Sequence, residues 1–371
     1  MSTTIYAEPI DVASPPELAT PASVSVIIPC YNEEKFIGKA LDNLANQYPS
    51  DAYEIVVVDG MSNDGTRPIV KEFQEAHPDL SVRVLDNPAR NIPSALNLGI
   101  AAARGEIIAR MDAHAVPSAG YIRRCVEVLG GANASIVGMP CRVRPAAATV
   151  TARAIALGVS HPFGIGDAKY RLGGDAASVT QEEVDTVAFA CFRKSLWSDL
   201  GGFDEELLTN EDYDFNYRAR ARGNRVVLDR LAHCDYFARA TLRKLASQYS
   251  RYGAWKARMI RQRPRSLKWR QLVAPLFVSS IAVLAAVGFW RSFAWQLLVL
   301  EFMAYLLAAV VFGYRVTRKN RESFSVLLTM PAVFLVIHLS WGSSFLWGLF
   351  TPRSGQNHLR ERVASDRLAA R

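Results

Sequence analysis

The chain has 371 residues, half of them apolar, and a net charge of +8. That length allows a full globular domain and more, and the five cysteines (Cys30, Cys125, Cys141, Cys191 and Cys234) fall at no metal-ligand or redox spacing, which excludes a cysteine-built framework. The charge is local: eleven Lys and Arg and no Asp or Glu lie between Arg239 and Arg270, leaving about −3 elsewhere, and no recognition motif accompanies them to indicate nucleic acid.

Residues 1–22, rich in Pro, Ala and Ser, have neither the basic flank nor the apolar core of a signal peptide. They are expected to be a mobile lead-in to a cytoplasmic domain over 23–238. VSVIIP (24–29) is a branched apolar run ending at the polar turn CYNEE, and Ile37, Ala40, Leu41, Leu44 and Ala45 follow at helical spacing. The cycle recurs as EIVVVD (54–59) with a helix near 66–76, VRVLD (82–86) with a helix near 93–103, and EIIARMD (106–112). This alternation predicts an α/β domain with a mostly parallel sheet and helices on both faces.

In such sheets ligands bind beyond the carboxyl ends of the strands. Each strand here ends in a polar cluster: Tyr31-Asn32-Glu33, Asp59, Asp86-Asn87 and Asp112-Ala113-His114. With no GxGxxG and no GxxxxGK[ST], the dinucleotide and P-loop fingerprints are absent. That leaves a nucleotide site in which a metal, rather than a glycine-rich turn, holds the phosphates. On an extended segment residues two apart point the same way, so Asp112 and His114 could share one cation, Mn²⁺ or Mg²⁺. The plainer reading has Asp112 capping a turn and His114 in a loop.

HPFGIGDAKYRLGG (161–174) reads as an acceptor-facing loop or as an ordinary surface loop. In NEDYDFNY (210–217), the adjacent Glu211 and Asp212 are either a helix start, favoured by the positive end of the dipole, or a catalytic base with a supporting acid. Asp214 and Arg218, four apart, read as a surface ion pair. Gln248, Arg251, Tyr252 and Trp255 share one helical face within the basic stretch 239–270. That stretch fits an amphipathic helix on anionic lipid, worth roughly 1 kcal/mol per cation near the surface, and a site face as well.

Three apolar runs, 272–290, 293–313 and 326–350, approach the length of about 20 residues that spans a bilayer and place Trp and Tyr near their ends. They make 271–350 a membrane region. Glu301 and His338 lie inside the second and third runs, where ionisable groups face protein or water rather than lipid. The basic loop YRVTRKNRE (314–322) would be cytoplasmic. Three full spans would then put the Arg-rich tail, 351–371, outside, against the positive-inside rule, unless one run is re-entrant.

Five motifs in order resemble glycosyltransferase family 2, the inverting GT-A enzymes. SVIIPCYNEEKFI is similar to the family's opening strand and turn. VVVDGMSNDGT is similar to its D-D-G-S-x-D-x-T segment, with Gly60 replacing the second Asp. RNIPSALNLGIAAARGEIIARMDAH resembles the stretch into the D-x-D site, and NEDYDFNYRARARG the E-D motif. QYSRY (248–252) resembles Q-x-x-R-W, with Tyr252 for Trp. D-A-H and QYSRYGAWKAR look most like the ExoA-type (succinoglycan) exopolysaccharide glucosyltransferases.

The resemblance implies a metal-dependent inverting hexosyltransferase. It would move glucose from UDP-glucose onto a polyprenyl-diphosphate-linked glycan, as a multi-pass inner-membrane protein with a cytoplasmic catalytic domain, alongside anionic lipids and other polysaccharide-assembly enzymes. On that resemblance Pro29, Tyr31, Glu33, Asp59 and Asn91 border the donor, Tyr31 by stacking and Asp59 by a hydrogen bond to the base. Asp112 sits at ribose and metal, and His114 stands where the family has a metal-ligating Asp. Arg251 meets the diphosphate, Asp212 is the base with Glu211 beside it, and Gln248 and Tyr252 face the acceptor. Three other readings remain: a polyprenyl-phosphate sugar synthase, which needs no Q-x-x-R-W element; a processive polysaccharide synthase, for which three spans are few; and a non-catalytic membrane scaffold that binds nucleotide sugar.

Overall fold

The computed structural model describes residues 23–131, 133–172 and 180–351. The lead-in over 1–22, the basic tail beyond Thr351, and Gly173 and Gly174 of the glycine-rich segment lie outside the described residues.

The first half follows the predicted alternation: β1 (Val24–Cys30), α1 (Ile37–Leu44), β2 (Tyr53–Asp59), α2 (Thr66–Ala76), β3 (Ser81–Asp86), α3 (Ile92–Ala102) and β4 (Ile107–Arg110). Every residue of β1, β2 and β4 is buried, as expected of strands covered on both faces. Asn91 caps α3 by accepting from the Ser94 N–H at 2.9 Å. A Cβ on Gly99 would lie 2.5 Å from Ile27 Cγ2 and 2.8 Å from Val58 Cγ2, so only glycine lets α3 settle this closely on β1 and β2.

Then come β5 (Val116–Pro117), α4 (Tyr121–Gly130), β6 (Ile136–Gly138), β7 (Cys141–Pro145), α5 (Val150–Gly158) and α6 (Pro162–Ile165). They are followed by β8 (Gln181–Glu183), β9 (Cys191–Arg193), α7 (Lys194–Leu200), α8 (Glu211–Ala221), β10 (Val226–Asp229) and β11 (Cys234–Ala238). The main sheet has the order β3-β2-β1-β4-β9-β6-β10-β8, and a small sheet has the order β5-β11-β7. The main sheet is parallel from β3 to β4 and between β6 and β10. β9 runs antiparallel between β4 and β6, and β8 antiparallel at the edge. One apolar core lies on each face.

Two local expectations change. The predicted strand 106–112 ends at Arg110, and the next residues form a turn closed by Ala115 N–H on the Asp112 carbonyl at 3.0 Å. Strand alternation therefore does not apply to Asp112 and His114. Asp214 and Arg218 do not form a surface pair: Asp214 is fully buried, with Arg218 Nε at 2.7 Å and Arg263 Nε at 2.5 Å.

The remainder is helical: α9 (Leu242–Gln262), α10 (Val273–Gly288), α11 (Phe293–Lys319) and α12 (Phe324–Phe350). The last three, the first of them counted from Trp269, are long and apolar enough to cross a membrane. α11 continues through YRVTRK instead of breaking into a loop at Tyr314. Neither Gly nor Pro occurs from Tyr314 to Lys319, and Thr317 and Arg318 find partners one turn back, on the Gly313 carbonyl at 2.8 Å and the Tyr314 hydroxyl at 2.7 Å. Both ionisable groups inside the apolar helices face protein. Ser280 donates to Glu301 at 2.5 Å, and the His338 ring lies 2.9 Å from the Tyr305 hydroxyl and 2.8 Å from the Phe163 carbonyl.

α9 does not lie alone on a surface, because α12 covers one of its faces. The space a Gly253 Cβ would need is taken by the Trp341 carbonyl, and a Cβ on Gly348 would lie 2.8 Å from Ala257 Cβ. Small residues allow two helix backbones this approach. Four cations of the basic stretch are committed to the protein itself: Arg258 to Glu206 at 2.8 Å, Arg263 to Asp214, Arg261 to the Thr351 carbonyl at 2.7 Å, and Arg270 to Asp167 and Asp185. Replacing Gly253 with Leu should overpack this crossing, cost about 1–3 kcal/mol, and lower the thermal midpoint of the detergent-solubilised protein. An unchanged midpoint would mean that the two helices are not held this close.

Candidate active site

A cavity of about 750 Å³ runs from the carboxyl ends of β1 and β4 to the start of α10 and the middle of α12. Of the residues singled out in the sequence, Pro29, Tyr31, Glu33, Asn91, Asp112, His114, Glu211, Asp212, Gln248, Arg251 and Tyr252 all line it. Asp59 does not. It is sealed behind Gly60, accepting from Ser62 N at 3.0 Å and from Arg67 Nε at 2.5 Å. A strand-end position fixes where a residue lies along the chain but not which way its side chain turns. Here Asp59 turns inward to hold the loop.

That loop is latched to the turn after β1. Asn32, in left-handed backbone at φ 54°, exchanges two hydrogen bonds of 2.8 Å with Asn63. Its N–H reaches Ser62 Oγ at 2.7 Å, and the Glu33 N–H reaches Thr66 Oγ1 at 2.7 Å. The latch holds Tyr31 at the cavity wall, with the Arg90 guanidinium 5.7 Å from its ring centre. Asn87 also lines the cavity and is buried, and its Oδ1 accepts from nothing among the described residues, which leaves an acceptor for a bound ligand. The Asn91 side chain is occupied locally as the α3 cap.

The centre of the site is Arg110, which sequence reading passed over as part of an apolar strand. It is buried, with Nη2 3.0 Å from Glu211 and 3.4 Å from Asp112, while Nε and Nη1 have no partner among the described residues. Burial alone would lower its pKa, but Asp112, Glu211 and Asp212 outweigh that and raise it, so it stays charged. Burial pushes the Glu211 carboxyl up, Arg110 pulls it back, and the neighbouring carboxylates push it up again, leaving it raised. Glu211 and Asp212 open α8 in its first turn, as the helix-start reading expects. Asp212 receives the adjacent Tyr213 N–H at 2.7 Å and faces the cavity.

Asp112 and His114 meet the cavity from the turn after β4, and His114 Nδ1 lies 3.9 Å from Glu33. No group of three or more His, Cys, Asp or Glu side chains converges on one point among the described residues. A carboxylate and an imidazole in a region with surplus negative charge fit a divalent cation that takes its other ligands from phosphate and water.

Gln248 is buried, and its Nε2 donates to both the Tyr236 and Tyr252 hydroxyls at 3.0 Å, so it positions tyrosines. Trp255 leaves the expected helical face and packs with Leu207 and Met259. Lys256 faces the cavity as well. Its Nζ donates to the Ser266 carbonyl at 3.1 Å and lies 3.9 Å from the centre of the Tyr213 ring. Burial, then Arg270, pull its pKa down to about 7.

Two outcomes follow from these charges. Arg110→Met should cost about 3–5 kcal/mol by leaving Glu211 buried and unpaired, and adding Glu211→Gln should recover most of that loss in thermal unfolding. The Lys256 pKa is below its unfolded value, so the unfolded chain holds the extra proton between about pH 7 and 10 and stability rises with pH across that window. Relative to Lys256→Met, the wild type should gain up to about 1.4 kcal/mol per pH unit there, whereas a pH-independent difference would contradict the burial of the amine.

The model for "Glycosyl transferase family 2" matches residues 25–198. Over 338 residues the chain is 25% identical to a dolichyl N-acetyl-α-D-glucosaminyl phosphate 3-β-D-2,3-diacetamido-2,3-dideoxy-β-D-glucuronosyltransferase of Methanococcus voltae, covering 89% of this chain and 98% of the relative. It is 28% identical to the succinoglycan biosynthesis protein ExoA of Rhizobium meliloti over 332 residues, 88% and 94% of the two chains. Among solved structures, a mannosyltransferase from Pyrobaculum calidifontis in complex with GDP-Man and Mn²⁺ superposes with a TM-score of 0.62 at 24% identity, covering 92% of this chain and 91% of that one, which establishes a shared fold.

Proposed function

Given that the chain belongs to glycosyltransferase family 2, we propose that it moves glucose from UDP-glucose, with inversion, onto a polyprenyl-diphosphate-linked glycan. The work belongs to exopolysaccharide or other cell-surface polysaccharide assembly at the cytoplasmic face of the inner membrane. The observation that carries the reading is one continuous cavity, with carboxylates at its strand-end side and residues of two apolar helices, Val273, Ala274, Ile337 and Trp341, at its other side. A lipid-borne acceptor could enter from those helices while a nucleotide occupies the strand ends. The dolichyl-linked acceptor in the name of the Methanococcus relative and the succinoglycan role of the Rhizobium one support a lipid-linked acceptor and a polysaccharide product.

In this reading Pro29, Tyr31 and Asn87 hold the nucleoside, and Asn87 Oδ1 accepts from a ring or amide N–H of the base. Asp59 works through the loop it holds instead of touching the base. Asp112 and His114 would hold a divalent cation, whose chemistry is to neutralise charge on the departing diphosphate. Arg251 adds a second positive charge on the same group. The acceptor hydroxyl oxygen attacks the anomeric carbon from the face opposite the diphosphate, the bond to the diphosphate oxygen breaks, and the hydroxyl proton passes to Asp212. Arg110 holds Glu211 beside Asp212, and Gln248 holds Tyr252 at the acceptor end.

Transfer from radiolabelled UDP-glucose into a lipid fraction, with and without Mn²⁺, tests this. Label should need the metal and should fall roughly 10²–10⁴-fold in Asp212→Asn, with UDP-glucose binding retained. An Asp212→Asn variant as active as wild type would remove Asp212 as the base, and no transfer from any nucleotide sugar of a broad panel would remove the enzymatic reading.

A further inference from the structure

Among the cavity cations to which the reading above gives no role, Arg171 stands out by its surroundings. Arg171 lies in the loop after α6, its guanidinium 5.5 Å from the ring centre of Tyr170 and 5.1 Å from that of Tyr236. It forms no ion pair among the described residues, and its Nε is shut away from solvent with no acceptor. Tyr249 and Tyr252 of α9 line the same cavity. The same tyrosines supply further donors. Gln248 donates to the Tyr236 and Tyr252 hydroxyl oxygens, which leaves both hydroxyl protons to be given elsewhere, and the buried Tyr249 hydroxyl has no partner among the described residues. One guanidinium and three hydroxyls thus line one cavity wall, and among the described residues Arg171 Nε and the Tyr249 hydroxyl have no partner there. Buried donors are satisfied in native proteins, so the missing acceptor is an anion brought by a ligand.

We propose that Arg171 with Tyr236, Tyr249 and Tyr252 binds the lipid-borne phosphate of the acceptor. This rests on the reading of a lipid-linked acceptor. The cage is built from the small sheet, α9 and the loop after α6, none of which contributes to the nucleoside end at Tyr31 and Asn87. The donor diphosphate already has Asp112, His114 and Arg251. The chain that carries Arg171 also touches the apolar helices directly. Phe163 of α6 packs edge-on against Phe334 with ring centres 4.9 Å apart and stacks on Phe312 at 5.0 Å, and its carbonyl meets His338 of α12. α6, which meets the apolar helices, thus leads directly into the loop that presents the cation, as binding an amphiphile with an anionic head requires.

Affinity for a polyprenyl phosphate, measured in detergent micelles against the uncharged polyprenol of the same length, tests the site without requiring turnover. Wild type should prefer the phosphate by roughly ten- to a hundredfold, the worth of one or two charge-assisted hydrogen bonds. Arg171→Gln should lose that preference while binding UDP-glucose normally, which also reports that it folds, and Arg171→Lys should keep part of it. The proposal is overturned if Arg171→Gln retains the preference, if it weakens UDP-glucose binding instead, or if inorganic phosphate binds wild type as tightly as the lipid does. Arg171-dependent phosphate preference in a protein that transfers no sugar would leave this site standing and remove only the reaction assigned to it. Sugar transfer to lipid with unchanged acceptor KM in Arg171→Gln would do the reverse.

Discussion

The close crossing of α9 and α12 decides where the cavity ends. α9 carries Gln248, Arg251, Tyr252 and Lys256 along the cavity wall, and α12 reaches that wall with Ile337, His338 and Trp341. Were a side chain larger than hydrogen present at Gly253 or Gly348, the helices would separate and the wall would open along its length. The crossing also ties the sheet domain to the apolar helices, because α12 packs on α5 through Gly158 and Val333 and on α6 through His338 and Phe163. Position relative to a membrane and position of the acceptor half of the site thus follow from one packing contact.

Charge organises the other half. Asp112, Glu211 and Asp212 come from two different elements and would repel one another without Arg110 among them. One guanidinium does not neutralise three carboxylates, so the strand-end side remains negative and favours a cation. Toward the apolar helices the same cavity carries Arg171, Arg239, Lys244 and Lys256, with Arg251 on α9 as well. The cavity is thereby polarised along its length. A nucleotide diphosphate with its metal suits the junction between the two regions, and an anionic acceptor suits the far one. The polarity matches a reaction in which negative charge accumulates on one leaving group while a proton moves toward a carboxylate.

Much of this was legible in the sequence because parallel strands deliver all their carboxyl ends to one edge. Once VSVIIP, EIVVVD and EIIAR read as strands, the residues that follow them had to share a neighbourhood, and Tyr31, Glu33, Asp112 and His114 do. What stayed hidden depended on side-chain direction or on distant partners. Asp59 turns inward because Ser62 and Arg67 are there to receive it. Arg110 looks like an outlier in an apolar run until Glu211, a hundred residues later in the chain, is set beside it. The helical period correctly grouped Gln248 with Tyr252, but α9 is covered on more than one side, so Trp255 goes into packing and Lys256 into the cavity. The antiparallel β9 is three residues long and is specified by its neighbours in the sheet rather than by its own pattern.

The central claim is that one cavity holds a nucleotide sugar at the strand ends and a membrane lipid at the apolar helices simultaneously. Photo-crosslinking with a polyprenyl phosphate that carries a photoreactive group near its head, performed with and without UDP-glucose and Mn²⁺, tests it directly. The account predicts adducts on the segments around Val273 and Ile337–Trp341 that persist or increase when the nucleotide is bound. Adducts confined to the outer faces of α10 and α11, or adducts at the cavity that UDP-glucose displaces, would contradict it.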